Sequence, residues 1–543
     1  MTCDGCARHV EDALRQVPGV EAVQVPGWQS GQAVLSADPD VDESALVQAV
    51  AQAGYRAVPA PSEPSAPVQK GEADFDLIVI GTGGGGMAAA IRAAELGFRA
   101  AIIEGGTIGG TCVNIGCVPS KTLIRAAAVY HQAGHHRFAG LRTRAEGVDW
   151  PALIRQKDEL VASLRQGKYV DVLASYSDNV TLIRGWASLK PGNRVVLDDG
   201  RVFSAAKIVI ATGARPAVLP LPGIDQVDVL TSTTAMSLDK QPQSLIVLGG
   251  RAVALELGQA FARLGTQVTI LQRSERIIPS YEPEIADTLT EALQAEGIAV
   301  HTGVSLQAIR VENGQKVVTA EIGGQTRQFR AEQVLMAVGR TPNTDRLGLE
   351  EVGVAVDERG FIQVNDRQQT TNPDIYAVGD VTTRPKLVYV AAAAGGIAAT
   401  NALTGQSQSL DLAVLPEVIF TDPQVARVGI TEAEARARGY NVRTTILPLE
   451  YVPRALAARD TRGLVKLVAD AGSNRLLGAQ VLAAEAGEVI QTAAMAVRFG
   501  LQFGFTIDDL TGMLFPYLTQ VEGLKLAAQT FEKDVAQLSC CAG

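Results

Sequence analysis

Two segments of the chain share one pattern, in which a short apolar run is followed by glycines and then by an alanine-rich stretch. The first segment runs from Phe75 through Gly86, and the second runs from Ser244 through Gly250. A buried strand, a glycine turn and a helix in this order are typical of a nucleotide-binding unit in a parallel sheet. The pattern therefore predicts two α/β units in one chain.

The first unit carries a glycine motif whose position makes it specific. Gly81, Gly83 and Gly86 have the spacing Gly-x-Gly-x-x-Gly, and Glu104 ends the next apolar run. The glycines would allow a tight turn and bring a pyrophosphate close to the helix N-terminus, and the acid would accept hydrogen bonds from a ribose. A glycine-rich turn without a ligand is the alternative interpretation.

The second unit departs from this motif. It keeps Gly249 but has Arg251 and Ala254 where the motif has glycines, and no acid follows its second strand. We expect Arg273, with Arg251 or Arg276, to meet a 2′-phosphate, which favours NADPH over NADH. A solvated loop charge is the alternative interpretation of Arg273.

The cysteines are grouped along the chain. All six fall into three close pairs, Cys3/Cys6, Cys112/Cys117 and Cys540/Cys541. In a reducing compartment, paired thiols indicate redox or soft-metal chemistry more than structural disulfides. The two terminal pairs are therefore candidate carriers of a soft ion, against the alternatives of an inert remnant at the N-terminus and a disordered tail at the C-terminus.

The central pair, Cys112 and Cys117, lies in the apolar, glycine-rich stretch 109–121. Gly116 permits a tight backbone that lets the sulfurs meet, and Pro119 predicts a helix that begins near Cys117. The helix N-terminus would lower the pKa of a thiol there from its usual value of ~8.5. We prefer a redox-active pair over a buried structural disulfide or half of a zinc site.

Composition narrows the class of protein. The chain has 543 residues, 47% of them hydrophobic, which predicts three or four domains with buried cores. Its formal net charge of -10 argues against binding to nucleic acid or to an anionic membrane. No apolar run is long enough to span a membrane and no signal peptide is evident, so we expect a cytoplasmic protein without membrane insertion.

Further motifs complete a recognisable set. One apolar run ends in Ala211-Thr212-Gly213 and another ends in Gly379-Asp380. With the central cysteine stretch and the two glycine motifs, they resemble the FAD-dependent pyridine nucleotide-disulfide oxidoreductases from Phe75 to about Thr530. The resemblance implies an α/β fold, with two Rossmann-like domains for FAD and NADPH and an α+β dimerisation domain.

The resemblance also implies which residues bind the two cofactors. They are Gly81, Gly83, Gly86, Glu104, Thr111, Lys121, Gly213, Asp380, Gly249, Ala254, Glu256 and Arg273. Within this set, Lys121 would pair with Glu256 near the flavin. Cys117 would lie against the flavin as a thiolate, and Cys112 would be the outer, exchanging cysteine.

The N-terminal Cys-x-x-Cys and the helix and strand patterns after it resemble a heavy-metal-associated domain, a small ferredoxin-like module. The first strand of that module has no counterpart, so either the true start lies upstream or the module lacks this strand. The expected domains are 1–58 heavy-metal-associated, 59–74 linker, 75–240 FAD-binding, 241–348 NADPH-binding, 349–412 FAD-binding, 413–530 interface and 531–543 tail.

One departure separates the chain from the disulfide-reducing members of the family. They carry a His-Pro dipeptide whose histidine transfers protons, and this chain has Phe515-Pro516, with Glu522 beyond. Phenylalanine cannot transfer a proton. Together with Tyr169 and Tyr517, which match tyrosines beside the metal, this favours the mercury(II)-reducing members of the family.

The resemblance implies a mechanism and partners. Hg(II), delivered as a thiol complex, would be reduced to Hg(0) by NADPH through FAD. Cys3 and Cys6 would collect the ion, Cys540 and Cys541 of the partner subunit would receive it, and Cys112 and Cys117 would hold it. Tyr169, Tyr517 and Lys121 would assist in an active site shared across a homodimer, and mercury uptake proteins are candidate partners.

Two other functions stay open at this point. A flavin-dependent disulfide reductase explains the central motifs, although it explains neither Phe515 nor the C-terminal cysteine pair. A non-catalytic soft-metal carrier explains the three cysteine pairs, although it does not explain two intact nucleotide motifs.

Overall fold

The computed structural model describes residues 4–25, 33–38, 41–55, 57 and 73–538. They divide into a small N-terminal unit and a large unit. In chain order, the N-terminal unit contains α1 Asp4–Arg15, β1 Val20–Gln24, β2 Val34–Ala37 and α2 Glu43–Gln52, and its strands are antiparallel. Val10 and Leu14 lie one helical turn apart and therefore face one core, which Val23 and Val50 complete.

The large unit opens with a sheet that we call the first parallel sheet. Its region contains β3 Phe75–Ile80, α3 Gly84–Glu95, β4 Ala100–Glu104, α4 Gly110–Ile115, α5 Cys117–His135, α6 Trp150–Arg165, α7 Asp171–Ser175, β5 Val180–Arg184, β6 Ala187–Lys190, β7 Arg194–Leu197, β8 Val202–Ile210, β9 Ala214–Pro216 and α8 Ser232–Ala235. The strand order is β5-β4-β3-β8-β7-β6, with β6 and β7 antiparallel to their neighbours. Leu77 and Ile102 are wholly buried, as expected for strands covered on both faces.

A second parallel sheet follows and has the order β12-β11-β10-β16. Its region contains β10 Ser244–Leu248, α9 Ala252–Arg263, β11 Gln267–Leu271, α10 Pro283–Ala295, β12 Ala299–His301, β13 Val304–Glu312, β14 Gln315–Ile322, β15 Gln325–Ala331, β16 Gln333–Met336 and β17 Arg340–Pro342. Strands β13, β14 and β15 form a separate antiparallel sheet, and β17 pairs with β9.

The chain then returns to the first parallel sheet, where β18 Ile375–Ala377 pairs with β8 before α11 Val388–Thr404. A five-stranded antiparallel sheet of order β19-β20-β23-β22-β21 completes the large unit. Its region contains β19 Glu417–Ile419, β20 Gln424–Gly429, α12 Glu432–Ala437, β21 Val442–Pro448, α13 Pro453–Ala458, β22 Leu464–Asp470, β23 Arg475–Ala483, α14 Ala486–Phe503, α15 Ile507–Gly512 and α16 Glu522–Gln529.

Two parallel sheets followed by an antiparallel one agree with the fold class predicted from the sequence. Between residues 73 and 538, and in the described stretches before them, we find no helix that is long and apolar enough to cross a membrane.

A buried group of ion pairs joins the second parallel sheet to the antiparallel sheet. The guanidinium of Arg263, at the end of α9, lies 2.6 Å from Glu296 and 2.7 Å from Asp422, which precedes β20. Arg462 contacts the same two carboxylates at 2.9 and 3.1 Å. Because the side chains of Arg263 and Glu296 are 4% and 8% exposed, loss of one partner leaves a buried charge without full compensation.

We therefore expect Arg263→Leu to lower the free energy of unfolding by about 3–5 kcal/mol, the usual cost of breaking a buried ion pair. The matched control is Arg436→Leu, because Arg436 pairs with Glu432 at 2.8 Å but its side chain is 58% exposed. The control should change stability by no more than ~0.5 kcal/mol. Urea unfolding followed by circular dichroism measures both, and equal effects of the two substitutions would show that burial does not strengthen the Arg263 ion pairs.

Candidate active site

The two central cysteines meet where α4 ends and α5 begins. Gly116 joins the two helices, and a Cβ atom at this position would lie 2.9 Å from the carbonyl oxygen of Thr111. A residue without a Cβ atom therefore suits this connection. Both cysteines are free thiols, Cys112 half-buried and Cys117 exposed, and their side chains are hydrogen bonded to each other.

This hydrogen bond makes the two thiols unequal acids. Donation from Cys112 lowers the pKa of Cys117 to about 7, a shift that burial opposes and the positive charge of Lys121 assists. The same bond, together with burial and the charge on Cys117, raises the pKa of Cys112. Cys117 is therefore the first of the pair to become a thiolate, and Cys112 is its hydrogen-bond donor.

Lys121 is held one helical turn after Cys117. Its ammonium nitrogen lies 2.7 Å from Oε2 of Glu256, a buried residue of α9. Oε1 of Glu256 accepts a hydrogen bond of 2.9 Å from the backbone N–H of Phe420. The ring centre of Phe420 lies 4.6 Å from the same ammonium, a distance at which a cation is attracted to an aromatic face. The sequence motifs indicated Lys121 and Glu256, but no motif indicated Phe420.

Tyr169 lies near the cysteine pair because of an irregular turn. Residues Gln166–Val170 form a π-helix between α6 and α7, a feature that is rare and frequent at functional sites. A Cβ atom at Gly109 would lie 3.4 Å from Cγ of Tyr169, so the ring packs on the cysteine stretch. Burial raises the pKa of Tyr169, and the charges of Cys112 and Cys117 raise it further.

Asn114, which lies between the two cysteines, fastens this stretch to α6. Its amide nitrogen donates to the carbonyl oxygens of Ile108 and Gly110, both at 2.9 Å. Its amide oxygen accepts a hydrogen bond of 3.1 Å from Arg165, the last residue of α6. The cysteine stretch is thus tied to the helix that leads into the π-helical turn with Tyr169.

The remaining candidates for contact with the metal ion belong to the antiparallel-sheet region and to the two ends of the chain. Tyr517 is 52% exposed, and Phe515 packs on the apolar core of this region. The carboxylate of Glu522 accepts a hydrogen bond of 3.2 Å from the backbone N–H of Leu518. Cys3, Cys540 and Cys541 lie outside the described residues, as does the side chain of Cys6.

The first glycine motif forms a narrow backbone cradle at the N-terminus of α3. A Cβ atom at Gly86 would lie 1.9 Å from the carbonyl oxygen of Gly81, and one at Gly110 would lie 2.6 Å from Cα of Gly83. Without Cβ atoms in the way, an anionic group can approach the backbone here. The first N–H groups of a helix have no acceptor within the helix and can donate to such a group. The cradle fits the pyrophosphate of FAD.

Glu104 is already fixed beside this cradle. Oε2 accepts hydrogen bonds from the backbone and hydroxyl of Thr82 at 3.1 and 2.5 Å, and Oε1 accepts one from the backbone of Gly106 at 2.7 Å. A carboxylate has about four acceptor positions. Glu104 is thus oriented by three donors and keeps capacity for one ribose hydroxyl.

Asp380 and Arg340 form a second polar group in the candidate FAD site, in addition to Glu104. Nε of Arg340 lies 3.3 Å from Oδ2 of Asp380, and burial raises the pKa of Asp380. Within the described part of the chain, this buried Nε has no well-aligned hydrogen-bond acceptor. Arg340 also reaches Thr111 at 3.5 Å. These groups suit a bound polar ligand. Arg340 was not among the residues that the sequence motifs indicated.

The second glycine motif is similar in shape. Gly249 has φ 120°, and a Cβ atom there would lie 2.4 Å from the carbonyl oxygen of Ala337. Ala254 is fully buried in α9. Arg276 is paired with Asp287 at 2.8 Å, whereas Arg273 is exposed at the carboxyl end of β11. Of the arginines that follow β11, Arg273 is therefore better placed for a 2′-phosphate.

Comparisons with known proteins agree with this geometry. The family model of the pyridine nucleotide-disulphide oxidoreductases matches residues 75–395, and the model of their dimerisation domain matches residues 415–528. The heavy-metal-associated domain matches residues 1–56. The chain therefore belongs to the pyridine nucleotide-disulfide oxidoreductases, which confirms the resemblance drawn from the sequence.

Proteins with similar sequences indicate which members of this family the chain resembles most. The chain is 45% identical to a mercuric reductase of Staphylococcus aureus and 46% identical to one of Shigella flexneri, over 100% of this chain and 98% and 99% of those proteins. It is 48% identical to a mercuric reductase of Streptomyces lividans over 86% of this chain and 98% of that protein. Within its family, the chain thus groups with the mercuric reductases, which use FAD and NADPH.

A solved structure shares the fold of the large unit. The HOCl-induced flavoprotein disulfide reductase RclA from Escherichia coli superposes with a TM-score of 0.75 at 31% identity, covering 84% of this chain and 100% of that one.

The polarised thiol pair leads to a pH prediction. A pKa of about 7 for Cys117, below the ordinary 9.0, means that its thiolate is half formed near pH 7. Cys112→Ala removes the main stabilising hydrogen bond, so the pKa of Cys117 should rise towards the ordinary value and the thiolate should form only in more alkaline solution. Ultraviolet thiolate absorbance of the reduced protein, with matching Cys117→Ser proteins as blanks, measures this titration.

Cys112→Ser is the matched control, because its hydroxyl keeps a hydrogen-bond donor at the same place. It should raise the pKa of Cys117 less than Cys112→Ala does. An unchanged titration of Cys117 in the alanine variant would show that the hydrogen bond does not set its acidity.

Proposed function

We propose that this protein reduces Hg(II) to Hg(0) with electrons from NADPH, and that Cys112 and Cys117 hold the ion during reduction. The observation that carries the proposal is the hydrogen-bonded pair of thiolate and thiol beside Lys121. Two neighbouring sulfur ligands suit a soft ion such as Hg(II).

The residues of both nucleotide sites fit their cofactors. The N-terminus of α3, Glu104 and Asp380 would hold FAD, and the turn at Gly249 with Arg273 would hold NADPH. FAD, when bound, supplies the two-electron connection between NADPH and the cysteine pair. Lys121 and Glu256 form an ion pair whose two charges act on Cys117, and the backbone and ring of Phe420 hold this pair in place.

The proton of Cys112 must leave when Hg(II) binds, because thiols ligate metals as thiolates. Cys117 is the first to ionise and so makes the first bond to the ion. Binding of Hg(II) then displaces the proton of Cys112, and the second sulfur completes the pair of ligands. Transfer of two electrons converts Hg(II) to neutral Hg(0), which two thiolates retain only weakly, and NADPH becomes NADP⁺.

Tyr169 is placed to assist this exchange. Its raised pKa keeps the phenol protonated at neutral pH, so its hydroxyl can donate a hydrogen bond to a sulfur ligand. We assign a similar role to Tyr517, which is exposed in the antiparallel-sheet region and would act in the site of a second subunit.

The proposed assembly is a homodimer that shares its active sites. The family's dimerisation domain covers residues 415–528. Exposed apolar side chains in this range, such as Phe503 at 77% and Leu514 at 96%, suit an interface. In this assembly, Cys540 and Cys541 would pass the ion to Cys112 and Cys117 across the interface, after Cys3 and Cys6 had collected it.

The affinity of Hg(II) for thiolates also determines the form in which the substrate reaches the protein. In the cytoplasm, where we place the protein, Hg(II) would arrive as complexes with small thiols or from mercury uptake proteins. Each handover needs an incoming pair of thiolates, so three cysteine pairs in one chain form a relay.

The antiparallel-sheet region argues against the alternative function, a flavin-dependent disulfide reductase. Phe515 packs on an apolar core and offers no proton, and Glu522 accepts a backbone hydrogen bond from Leu518. Reduction of a disulfide would lack the general acid that releases the thiol product.

The test is NADPH oxidation by the purified holoenzyme in excess small thiol, with and without Hg(II), while volatile mercury is trapped. We expect NADPH loss to match released Hg(0) mole for mole. NADPH loss with a disulfide such as oxidised glutathione, and none with Hg(II), would assign the protein to the disulfide reductases. Bound Hg(II) without NADPH loss would assign it to the metal carriers.

The relay leads to a separate prediction. Cys540→Ala with Cys541→Ala should leave flavin reduction by NADPH at the normal rate, because neither residue belongs to a nucleotide site. Hg(II) turnover should fall when strong thiol ligands compete for the ion. Stopped-flow flavin absorbance and steady-state NADPH loss measure the two steps, and unchanged rates in both would disprove the tail relay.

A further inference from the structure

A short turn after α15 carries Tyr517, one of the two tyrosines assigned to the metal site. Tyr517 and Leu518 are the central residues of the turn 516–519. Leu518 has φ 59°, which places its backbone in the left-handed region. A bulky residue rarely adopts this conformation, because its Cβ atom then crowds the following carbonyl oxygen. Such a conformation persists only where the surrounding structure holds it.

The carboxylate of Glu522 provides that support. Glu522 is the first residue of α16 and is only 9% exposed. Its Oε2 accepts a hydrogen bond of 3.2 Å from the backbone N–H of Leu518, four residues earlier in the chain. A hydrogen bond to a charged acceptor is roughly twice as strong as one between neutral groups. The strained residue is thus bound directly to a buried anion at the start of a helix.

Other neighbours give this buried carboxylate little compensation. Across the described residues 73–538, Glu522 forms no ion pair, and burial raises the pKa of its carboxyl. The ammonium of Lys525, one helical turn later, donates instead to the carbonyl oxygen of Met513 at 3.1 Å. Phe515 stands where the disulfide-reducing members of the family carry a histidine, and its ring has no N–H to donate. The backbone N–H of Leu518 is therefore the principal partner of Glu522.

The turn is also fixed on the other side of Tyr517. The hydroxyl of Thr519 donates a hydrogen bond of 2.7 Å to the carbonyl oxygen of Pro516, which closes the turn. Phe515 packs on the apolar core of the antiparallel-sheet region. The backbone around Tyr517 is therefore determined by its neighbours, while the side chain of Tyr517 is 52% exposed.

We propose that Glu522 is a positioning residue for the metal site, because it holds Leu518 in the left-handed conformation that directs Tyr517 towards the site of the partner subunit. The inference rests on the proposed function, in which Tyr517 donates a hydrogen bond to a sulfur ligand. Glu522 acts through the backbone and does not touch the ion. The acid that follows Phe515-Pro516 thus serves to position a side chain and not to transfer a proton.

The direction of the phenol depends on this support. A hydrogen bond weakens steeply when its donor angle falls below ~120°, so the hydroxyl must approach a sulfur along a defined line. Relaxation of Leu518 from φ 59° to a right-handed value near −63° would rotate the backbone by roughly 120°. Because Tyr517 directly precedes Leu518, this rotation would turn the phenol away from its direction. Loss of the Glu522 contact should therefore affect the metal site and spare the nucleotide sites.

The first experiment is hydrogen exchange of the full-length holoenzyme, measured by mass spectrometry of peptides that cover residues 514–520. It compares the wild type with Glu522→Leu and with the matched control Glu522→Gln, whose amide oxygen can still accept the bond from Leu518. We expect exchange to rise about 10-fold or more in Glu522→Leu and distinctly less in Glu522→Gln. Exchange that is equal in the wild type and Glu522→Leu, or equally raised in both variants, would overturn the proposal.

The second experiment is Hg(II) turnover with NADPH, which tests the link to Tyr517. Glu522→Leu should lower kcat by about 2–12-fold, the fold-change that corresponds to one hydrogen bond, while flavin reduction by NADPH keeps its normal rate. Since Glu522 acts through Tyr517, the double variant Tyr517→Phe/Glu522→Leu should be no slower than Tyr517→Phe alone. Additive losses, or an unchanged kcat in Glu522→Leu, would contradict the positioning role.

A wild type that does not turn over Hg(II) would contradict the proposed function itself. The exchange experiment needs no mercury, so it would still decide whether Glu522 holds the turn. The two failures are therefore distinguishable.

Thr519→Val provides a second test that does not depend on the folding of Glu522→Leu. It removes the hydroxyl that closes the turn and keeps the buried carboxylate. Exchange in residues 514–520 should rise, Hg(II) turnover should fall, and the fall should disappear when Tyr517 is already phenylalanine. Unchanged exchange and turnover in Thr519→Val would show that the turn does not position Tyr517.

Discussion

A buried carboxylate fixes the geometry on which the rest of the site depends. Glu256, from the helix behind the second parallel sheet, binds Lys121 of the cysteine helix through one oxygen and the backbone of Phe420 through the other. One side chain thus holds three parts of the chain that are far apart in sequence. A buried charge that loses its partner costs several kcal/mol, so the buried carboxylate of Glu256 favours the arrangement in which it stays paired with Lys121.

The ion pair of Lys121 and Glu256 also acts on the acidity of the neighbouring sulfur. The charge of Lys121 lowers the pKa of Cys117, and the charge of Glu256 raises it. A lysine without its carboxylate would make the thiolate more abundant but less nucleophilic, since nucleophilicity falls with pKa and the optimum lies near the ambient pH. The ion pair therefore keeps Cys117 both ionised and reactive, and its hydrogen bond to Cys112 keeps the second sulfur protonated until a ligand displaces the proton.

The sequence predicted the features that depend on local pattern. Apolar runs before Gly81 and Gly249 indicated two parallel sheets, because a glycine turn between strand and helix has few other uses. The pairing of Lys121 with Glu256 was implied by the family resemblance, but two other tertiary features were not predicted. Phe420 lies beside Lys121 only because the antiparallel sheet packs there, and the buried Nε of Arg340 lies beside Asp380 only because two distant segments meet in the fold. Neither residue has a distinguishing neighbour in sequence.

The π-helical turn at Gln166–Val170 was also absent from the sequence pattern, since a continuous helix explains the same polar and apolar positions. What matters for the site is the number of residues in this turn, in addition to their types. A π-turn holds one residue more than the α-turn it replaces, and each residue of a helix rotates the direction of its side chain by about 100°. Deleting one residue of the turn other than Tyr169 would restore a regular helix and swing the phenol of Tyr169 away from the cysteine stretch, although Tyr169 itself remained in the chain. The spacing of this segment is thus as much a part of the site as the groups it carries.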